Sequence, residues 1–593
     1  MRYLVEAAQA KKLDRITVGY TVAAWAVIQA SSIGAGAFAW PQWIQQAVIV
    51  SGVTGLPVVL IGAWSLGVHR AAGGKLKPTR ADLHVLALLS LFLVVAGVLF
   101  VWVFWPKAAA VPSAQQAAPP PNSVAVLPFA NLSGDPAKQY FGEGIADELI
   151  SELSRIPSLH VAARTSSFAF EGKHADVKTI ARLLNVRSIL DGSVRQSANH
   201  IRIEAELVDA ANGFSSWSET YDRDLTDILA LQDDIAGSVT RSMKATLLGT
   251  AFDARDRRGI DANAYRLYLE AKAAHRHGNL ADVERAAELL RKVTALEPGY
   301  ANGFAALGGA LMSLVDRYGK TEFLAPAEAA SRQAIRLDPK NLSALGALTA
   351  LFLDKWQWKE ALDTYRTAQA INPGSSAVLH LRSLVASLFN YPDEDISAEI
   401  KASKLDPLSP ALKYNIALWY WNNKRYDQAA VAIQDVLRLR QGKFTDLDQQ
   451  CAIEASRGNP AEAQRIAARI SSYYASSPQN SLNCPFYIAI AEHNLRLARK
   501  IADAAAVDAL ANGGTFTTIG DCYRQLGDLN DAMKWYERAY DVRDVLLLGV
   551  PYEKWQTPAL LGDPRWKALW ARRPIRQWEA ARLEAAKILG IAG

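Results

Sequence analysis

Phe516-Thr-Thr-Ile-Gly-Asp-Cys-Tyr-Arg-Gln-Leu-Gly-Asp-Leu-Asn-Asp-Ala-Met-Lys-Trp-Tyr-Glu-Arg-Ala539 reads as two helices around one break. Before Gly527, residues Phe516, Ile519, Gly520 and Tyr523 recur at steps of three and four, the spacing of one helix face. After Gly527, Ala532, Tyr536 and Ala539 do the same. Gly520 and Ala532 are small enough to let the two helices approach, and Tyr523 and Tyr536 are large enough to fill the space between them. The stretch predicts a helix–turn–helix hairpin.

Upstream, predicted helices end in Ala-Leu-Glu-Pro298, Arg-Leu-Asp-Pro339, Ala-Ile-Asn-Pro373 and Lys-Leu-Asp-Pro407. These prolines lie 41, 34 and 34 residues apart. A 34-residue helix–turn–helix period is the signature of tetratricopeptide repeats. Leu345, Leu348 and Phe352, followed by Ala361, Tyr365 and Ala368, repeat the pattern within one period. Asp261–Pro298, Ala411–Leu439 and Leu447–Ile470 fit as degenerate units. The expectation is an all-α solenoid over 260–593 with seven to nine repeats, whose last apolar face is covered by a capping helix within Thr557–Leu569. Such stacks leave an extended concave surface suited to a protein partner. Trp419 and Trp421 are the candidate groove aromatics, and Tyr420 falls at a core position.

Residues 122–250 predict a small α/β domain. Ser123–Phe129 reads as a buried strand, Tyr140–Arg155 and Val177–Leu184 as helices, and Leu159–Ala163, Ser188–Val194, Ile201–Leu207 and Phe214–Tyr221 as strands, with a helix from Leu225. Ile201, Ile203, Ala205 and Leu207 alternate with Arg202, Glu204 and Glu206, so one sheet face is buried. Ser123-Val-Ala-Val-Leu-Pro-Phe-Ala-Asn-Leu-Ser-Gly-Asp135 and Tyr140-Phe-Gly-Glu-Gly-Ile-Ala-Asp-Glu-Leu149 together resemble the TolB amino-terminal-domain-like module. Val161–Phe168, Ile189–Val194, Ile201–Asp209 and Trp217–Asp224 extend the resemblance in order. It implies a non-catalytic α/β fold. Such modules sit beside tetratricopeptide repeats, behind class III adenylate cyclase domains, winged-helix regulators or membrane segments. Only apolar runs stand ahead of this module in the sequence, so the cyclase and winged-helix associations are not expected to carry over.

Residues 1–121 carry nine Lys/Arg and three Asp/Glu, while residues 122–593 carry 56 of each sign. The body therefore lacks the surplus of cations that a broad nucleic-acid interface needs, and no nucleic-acid partner is expected. No Asp, Glu, Lys or Arg occurs between Arg15 and Arg70, and a third apolar run covers Val85–Trp105. About 20 apolar residues cross a bilayer. Three membrane helices are expected, at about Ile16–Ala39, Ile44–Val68 and Val85–Trp105, making 1–107 an anchor in lipid through residues 16–105. Basic residues cluster before the first run and between the second and third. The positive-inside rule then puts the amino terminus in the cytoplasm and everything after about 107 in the periplasm of a bacterial inner-membrane protein. Residues 108–121, rich in Ala, Gln and Pro, form a semi-rigid linker.

Chemistry is sparse. No HExxH, GxSxG or GxxxxGK[ST] occurs, so no enzymatic activity, cofactor or metal is expected. Gly142-Glu143-Gly144 lacks the remainder of a phosphate-binding motif and reads as a tight turn into a helix. Asp147-Glu148 and Asp233-Asp234 read as solvated helix faces, and His275 and His277 diverge on theirs. Three cysteines, Cys451, Cys484 and Cys522, argue against a disulfide framework and leave one bridge plus a free thiol open. Two functions remain: an interaction scaffold, or a sensor that passes a signal to a separate cytoplasmic effector.

Overall fold

A computed structural model describes Trp25 and residues 119–591, leaving out 243–258, 472–481, 549–556 and shorter stretches. The three expected membrane helices lie outside the described residues. Among the described residues no helix is long and apolar enough to cross a membrane. Residues Ala118–Gly593 form one unit.

Its first part is a mixed sheet of β1 (Ser123–Val126), β2 (Ala130–Asn131), β3 (His160–Val161), β4 (Ser188–Ser197), β5 (His200–Asp209) and β6 (Phe214–Asp224). The order is β3-β1-β4-β5-β6, with β2 also on β4. β1 runs parallel to β3 and β4, and β4, β5 and β6 form an antiparallel meander. Interleaved are α1 (Gln139–Leu153), α2 (Arg164–Phe168) and α3 (Val177–Leu184), with α4 (Ile228–Ser242) after β6. All four residues of β1 are buried because both sheet faces are covered there. Val124 and Val126 join the large core with α1 and α4, while Ala125 and Ile189 pack with Ile180, Ala181 and Leu184 of α3. In β5 the expected alternation holds residue by residue.

Eight helical hairpins follow among the described residues. They are α5/α6 (Ala262–His277, Leu280–Leu296), α7/α8 (Ala301–Tyr318, Leu324–Leu337), α9/α10 (Leu342–Asp354, Trp358–Ile371) and α11/α12 (Ser376–Leu388, Pro392–Leu405). Then come α13/α14 (Pro410–Asn422, Tyr426–Arg440), α15/α16 (Phe444–Ser456, Pro460–Arg469), α17/α18 (Asn483–Ala491, Leu495–Asn512) and α19/α20 (Phe516–Gln525, Leu529–Asp541). Each punctuating proline stands two residues past a helix end, because proline cannot continue the helix. Asn341, Ser375 and Ser409 cap the next helices by accepting from the backbone N–H of Ala344, Val378 and Leu412. The turn inside successive hairpins holds one left-handed residue, at Trp356, Asn390, Lys424, Gly458, His493 and Gly527. In the last hairpin Gly520 faces Tyr536, and a Cβ there would come within 2.7 Å of the ring.

Two expectations about α1 are corrected. Gly142 and Gly144 lie inside this helix rather than in a turn before it. They are small because neighbours press on both sides: a Cβ would stand 2.1 Å from the Phe129 carbonyl oxygen at Gly142, and 2.4 Å from the Leu269 side chain at Gly144. Asp147 and Glu148 are buried rather than solvated, since α1 is sandwiched between the sheet and α5. Asp233 is likewise buried, whereas Asp234 is exposed.

The charges on α1 are met by the repeats. Glu148 accepts from Tyr268 Oη at 2.6 Å, Lys272 Nζ at 2.7 Å and Asn302 Nδ2 at 2.8 Å. Asp147 pairs with Lys272 at 2.7 Å and Arg164 at 3.2 Å. Burial disfavours its charge, but the two cations outweigh burial and hold Asp147 below its ordinary range. Burial and the neighbouring Glu171 push Glu143 up to about 7 against the pull of Arg276. Arg155 reaches Asp338 at 2.7 Å, and Asn372 Nδ2 donates to the Ser154 carbonyl at 2.6 Å. The sheet and the first four hairpins thus share one core.

The chain's end returns to the middle of the array. After α21 (Pro558–Gly562) and α22 (Pro564–Trp570), whose Trp566 packs on Tyr536 of the last hairpin, α23 (Arg573–Leu589) docks on α10 and α11. A run of ring contacts joins Tyr540, Trp356, Trp358, Phe389, Trp578, Trp570, Trp566 and Tyr536, leaving α20 and coming back to it. Within Thr557–Leu569, Trp566 packs on the last hairpin, and the helix beyond this segment ties the chain's end to α10 and α11.

Candidate functional site

Between α9, α11, α12 and α13 lies a cavity of about 460 Å³. Leu353, Leu384, Leu388 and Leu418 supply its apolar wall. Leu546, from a 3-10 turn at Val545–Leu548, reaches it from the returning C-terminal segment. The polar lining comprises Asp354, Asp395, Glu399 and several Ser and Asn side chains, with no Lys, Arg or His among the lining residues.

Hydrogen bonds hold these acids in place. Ser383 Oγ donates to Asp395 at 2.6 Å. Glu399 accepts from Asn415 Nδ2 at 2.8 Å and stands 3.0 Å from His380 Nδ1. Burial raises Asp395 to about 6, with the Glu399 charge adding to the shift and Ser383, Ser387 and His380 opposing it.

The structure separates the two candidate tryptophans. Trp419 lines the cavity and is 9% exposed, its ring covered on one side by the Arg425 guanidinium at 5.2 Å. Trp421 does not line it: its ring meets Tyr487 edge-on at 5.0 Å, and its Nε1 donates to Ser456 Oγ at 3.0 Å. Tyr420 packs, partly buried, against the core that contains Ala417 and Ile433. Asp395, Glu399 and Asn415 escaped the sequence reading because single polar residues on amphipathic helices look alike whether they face bulk water or a groove. No group of three or more His, Cys, Asp or Glu able to hold a metal occurs among the described residues. Cys451 and Cys484, on the first helices of neighbouring hairpins, are joined by a disulfide, and Cys522 is a buried free thiol.

A mixed sheet joined to stacked helical hairpins defines the class of the fold, a helical repeat array with a small α/β domain at its start. Residues 514–544 match the tetratricopeptide repeat family, and this span contains the last hairpin. A protein named "Putative adenylate cyclase 3" from Rhizobium meliloti (strain 1021) is 39% identical over 223 residues, which is 36% of this chain and 38% of that protein. The match thus spans well under half the length of that relative. Among solved structures, a tetratricopeptide repeat protein from Parabacteroides merdae is similar at 17% identity and a TM-score of 0.31, covering 45% of this chain and 100% of the other. A thermophilic tetratricopeptide repeat protein from Thermus thermophilus is similar at 16% identity and a TM-score of 0.28, covering 32% and 98%.

Proposed function

We propose that this chain is a bacterial inner-membrane-anchored interaction scaffold whose repeats bind a protein partner in the periplasm. The observation that carries the binding role is the cavity at Trp419, a partly apolar recess between α9, α11, α12 and α13. Its compartment is supported by the basic flanks of the apolar runs in residues 1–107. The Cys451–Cys484 disulfide supports it too, since such bonds persist in oxidising compartments. Residues 122–250 are read as a TolB-like module that braces the repeats through α1. The work is non-covalent, with lipid contacted through residues 16–105 and no nucleic acid held.

The test is crosslinking in cells. A photo-reactive residue at Asn422, exposed at the cavity, should trap one discrete partner. The same residue at Val431, 74% exposed on α14, should not. A C-terminal reporter active only in the periplasm should be active. Equal trapping at both positions, or a reporter active only in the cytoplasm, overturns the reading.

A second reading is a sensor that relays a signal to a separate cytoplasmic effector. The partial identity to a protein carrying an adenylate cyclase name favours it. A partner trapped at Asn422 whose loss changes cytoplasmic cyclic nucleotide would select this reading over a static scaffold.

A further inference from the structure

Resting on the groove reading above, we propose that the cavity at Trp419 takes a partner segment in which a lysine or arginine is flanked by apolar side chains.

Charge is the first argument. The lining includes three carboxylates, Asp354, Asp395 and Glu399, and no cationic side chain. Glu399 is fixed by His380 and Asn415, and Asp395 by Ser383, so neither can swing away when a ligand enters. Asp354 stands exposed. In a recess partly shielded from water, like charges repel and opposite charges attract more strongly than at an open surface. A carboxylate-bearing segment would meet the field of all three acids. An ammonium or guanidinium group would gain from it. Arg425, which covers the Trp419 ring, is not among the lining residues and does not reverse this balance.

Size and wall chemistry are the second argument. A volume of about 460 Å³ falls within the range of roughly 300–1,000 Å³ typical of sites that enclose small ligands. It accommodates a few side chains and not a whole helix. Leu384, Leu388, Leu418 and Leu546 give apolar neighbours for residues beside the cation. The exposed amide of Asn422 offers both a donor and an acceptor to an extended backbone.

The experiment uses the full-length protein and three fluorescein-labelled peptides that differ only in a central Leu-Lys-Leu, Leu-Gln-Leu or Leu-Glu-Leu, read by anisotropy. The Lys peptide should bind about tenfold tighter than the Glu peptide, with Gln between them. The double variant Asp354→Lys/Asn422→Lys changes two exposed positions and should keep its melting temperature. It should weaken the Lys peptide by about tenfold and erase the preference. Lys and Glu peptides binding alike, a preference that survives the double variant, or no saturable binding of any peptide at millimolar concentration would each overturn the proposal. If a partner is still trapped at Asn422 while the charge preference is missing, the groove reading stands and the basic-segment inference falls. If neither is seen, both fall.

Discussion

Trp578 donates its indole N–H to the carbonyl oxygen of Leu388, 3.2 Å away and 190 residues earlier. Its ring stacks on Phe389, centroid to centroid at 6.2 Å, and no part of it reaches solvent. Around it Arg582 Nε donates to the Phe389 carbonyl and Tyr391 Oη donates to the Arg582 carbonyl. This contact ties the C-terminal helix α23 to the middle of the array, so the stack is no longer held by neighbour contacts alone. An open array leaves its concave side adjustable, whereas this closure fixes the distance between α11 and the segment that carries Leu546.

Trp578→Ala should therefore cost about 3–5 kcal/mol, the usual range for deleting a buried tryptophan. Hydrogen exchange should show α23 losing protection first, with α10 and α11 following and the sheet unchanged. If α23 keeps its protection, Trp578 is not what holds it.

Lys272 neutralises two buried acids at once, Asp147 and Glu148. Lys272→Met leaves both uncompensated and should destabilise the shared core by about 3–5 kcal/mol. The pH dependence carries the sign. Asp147 is held below its ordinary range, so in the wild type it adds stability above its unfolded value, and that stability is lost as pH falls through the depressed folded value. Without Lys272 much of this contribution is gone, and the acid limb of a melting-temperature profile should be shallower. An unchanged limb would mean the pair does not set it.

Asp395 works in the opposite direction. Raised from 3.8 to about 6 by burial, it is easiest to accommodate when protonated. Its effect on stability is absent below its unfolded value, and stability falls as pH rises toward about 6. Asp395→Asn keeps the shape and removes the titration. The variant should melt higher than wild type at neutral pH and match it near pH 4. A melting-temperature profile of the variant that still falls between pH 4 and 6 as in the wild type would show that Asp395 does not set this slope.

Much of the repeat architecture was legible because proline punctuation and small–large pairing such as Gly520 with Tyr536 act over one hairpin, within reach of sequence spacing. The alternation of β5 was legible for the same reason. Long-range partners were not. Gly142 and Gly144 look like turn residues until Phe129 and Leu269 are seen pressing on them. Asp147 and Glu148 look solvated until Lys272 arrives from 124 residues away. Most left-handed turn positions were also silent. Gly458 and Gly527 announce theirs, but Trp356, Asn390, Lys424 and His493 occupy the same backbone state without glycine.

That last group makes its own prediction. Lys424 has φ of 58° and an exposed side chain. A left-handed non-glycine residue costs about 1–2 kcal/mol, and glycine's extra unfolded-state freedom offsets about 0.5–1 kcal/mol of the relief. Lys424→Gly should stabilise the α13/α14 hairpin by up to about 1 kcal/mol, read as a higher melting temperature. A lower one would show that the lysine side chain holds something its exposure does not suggest.

The Cys451–Cys484 bond ties the first helices of adjacent hairpins across a sequence separation of 33, close to one repeat period. Closing a loop of that size in the unfolded chain is worth roughly 3.7 kcal/mol. Cys484→Ser, or reduction of the wild type, should lower the melting temperature, and reduction should add nothing to the variant. Thiols trapped with maleimide at cell lysis should resist labelling at Cys451 and Cys484 until reductant is added under denaturing conditions. Cys522, buried and free, should label on unfolding alone, because burial and the nearby Asp521 disfavour its thiolate in the fold. If all three label without reductant, the bond is absent in the cell and the support it lends to a periplasmic body disappears, while the groove at Trp419 is untouched.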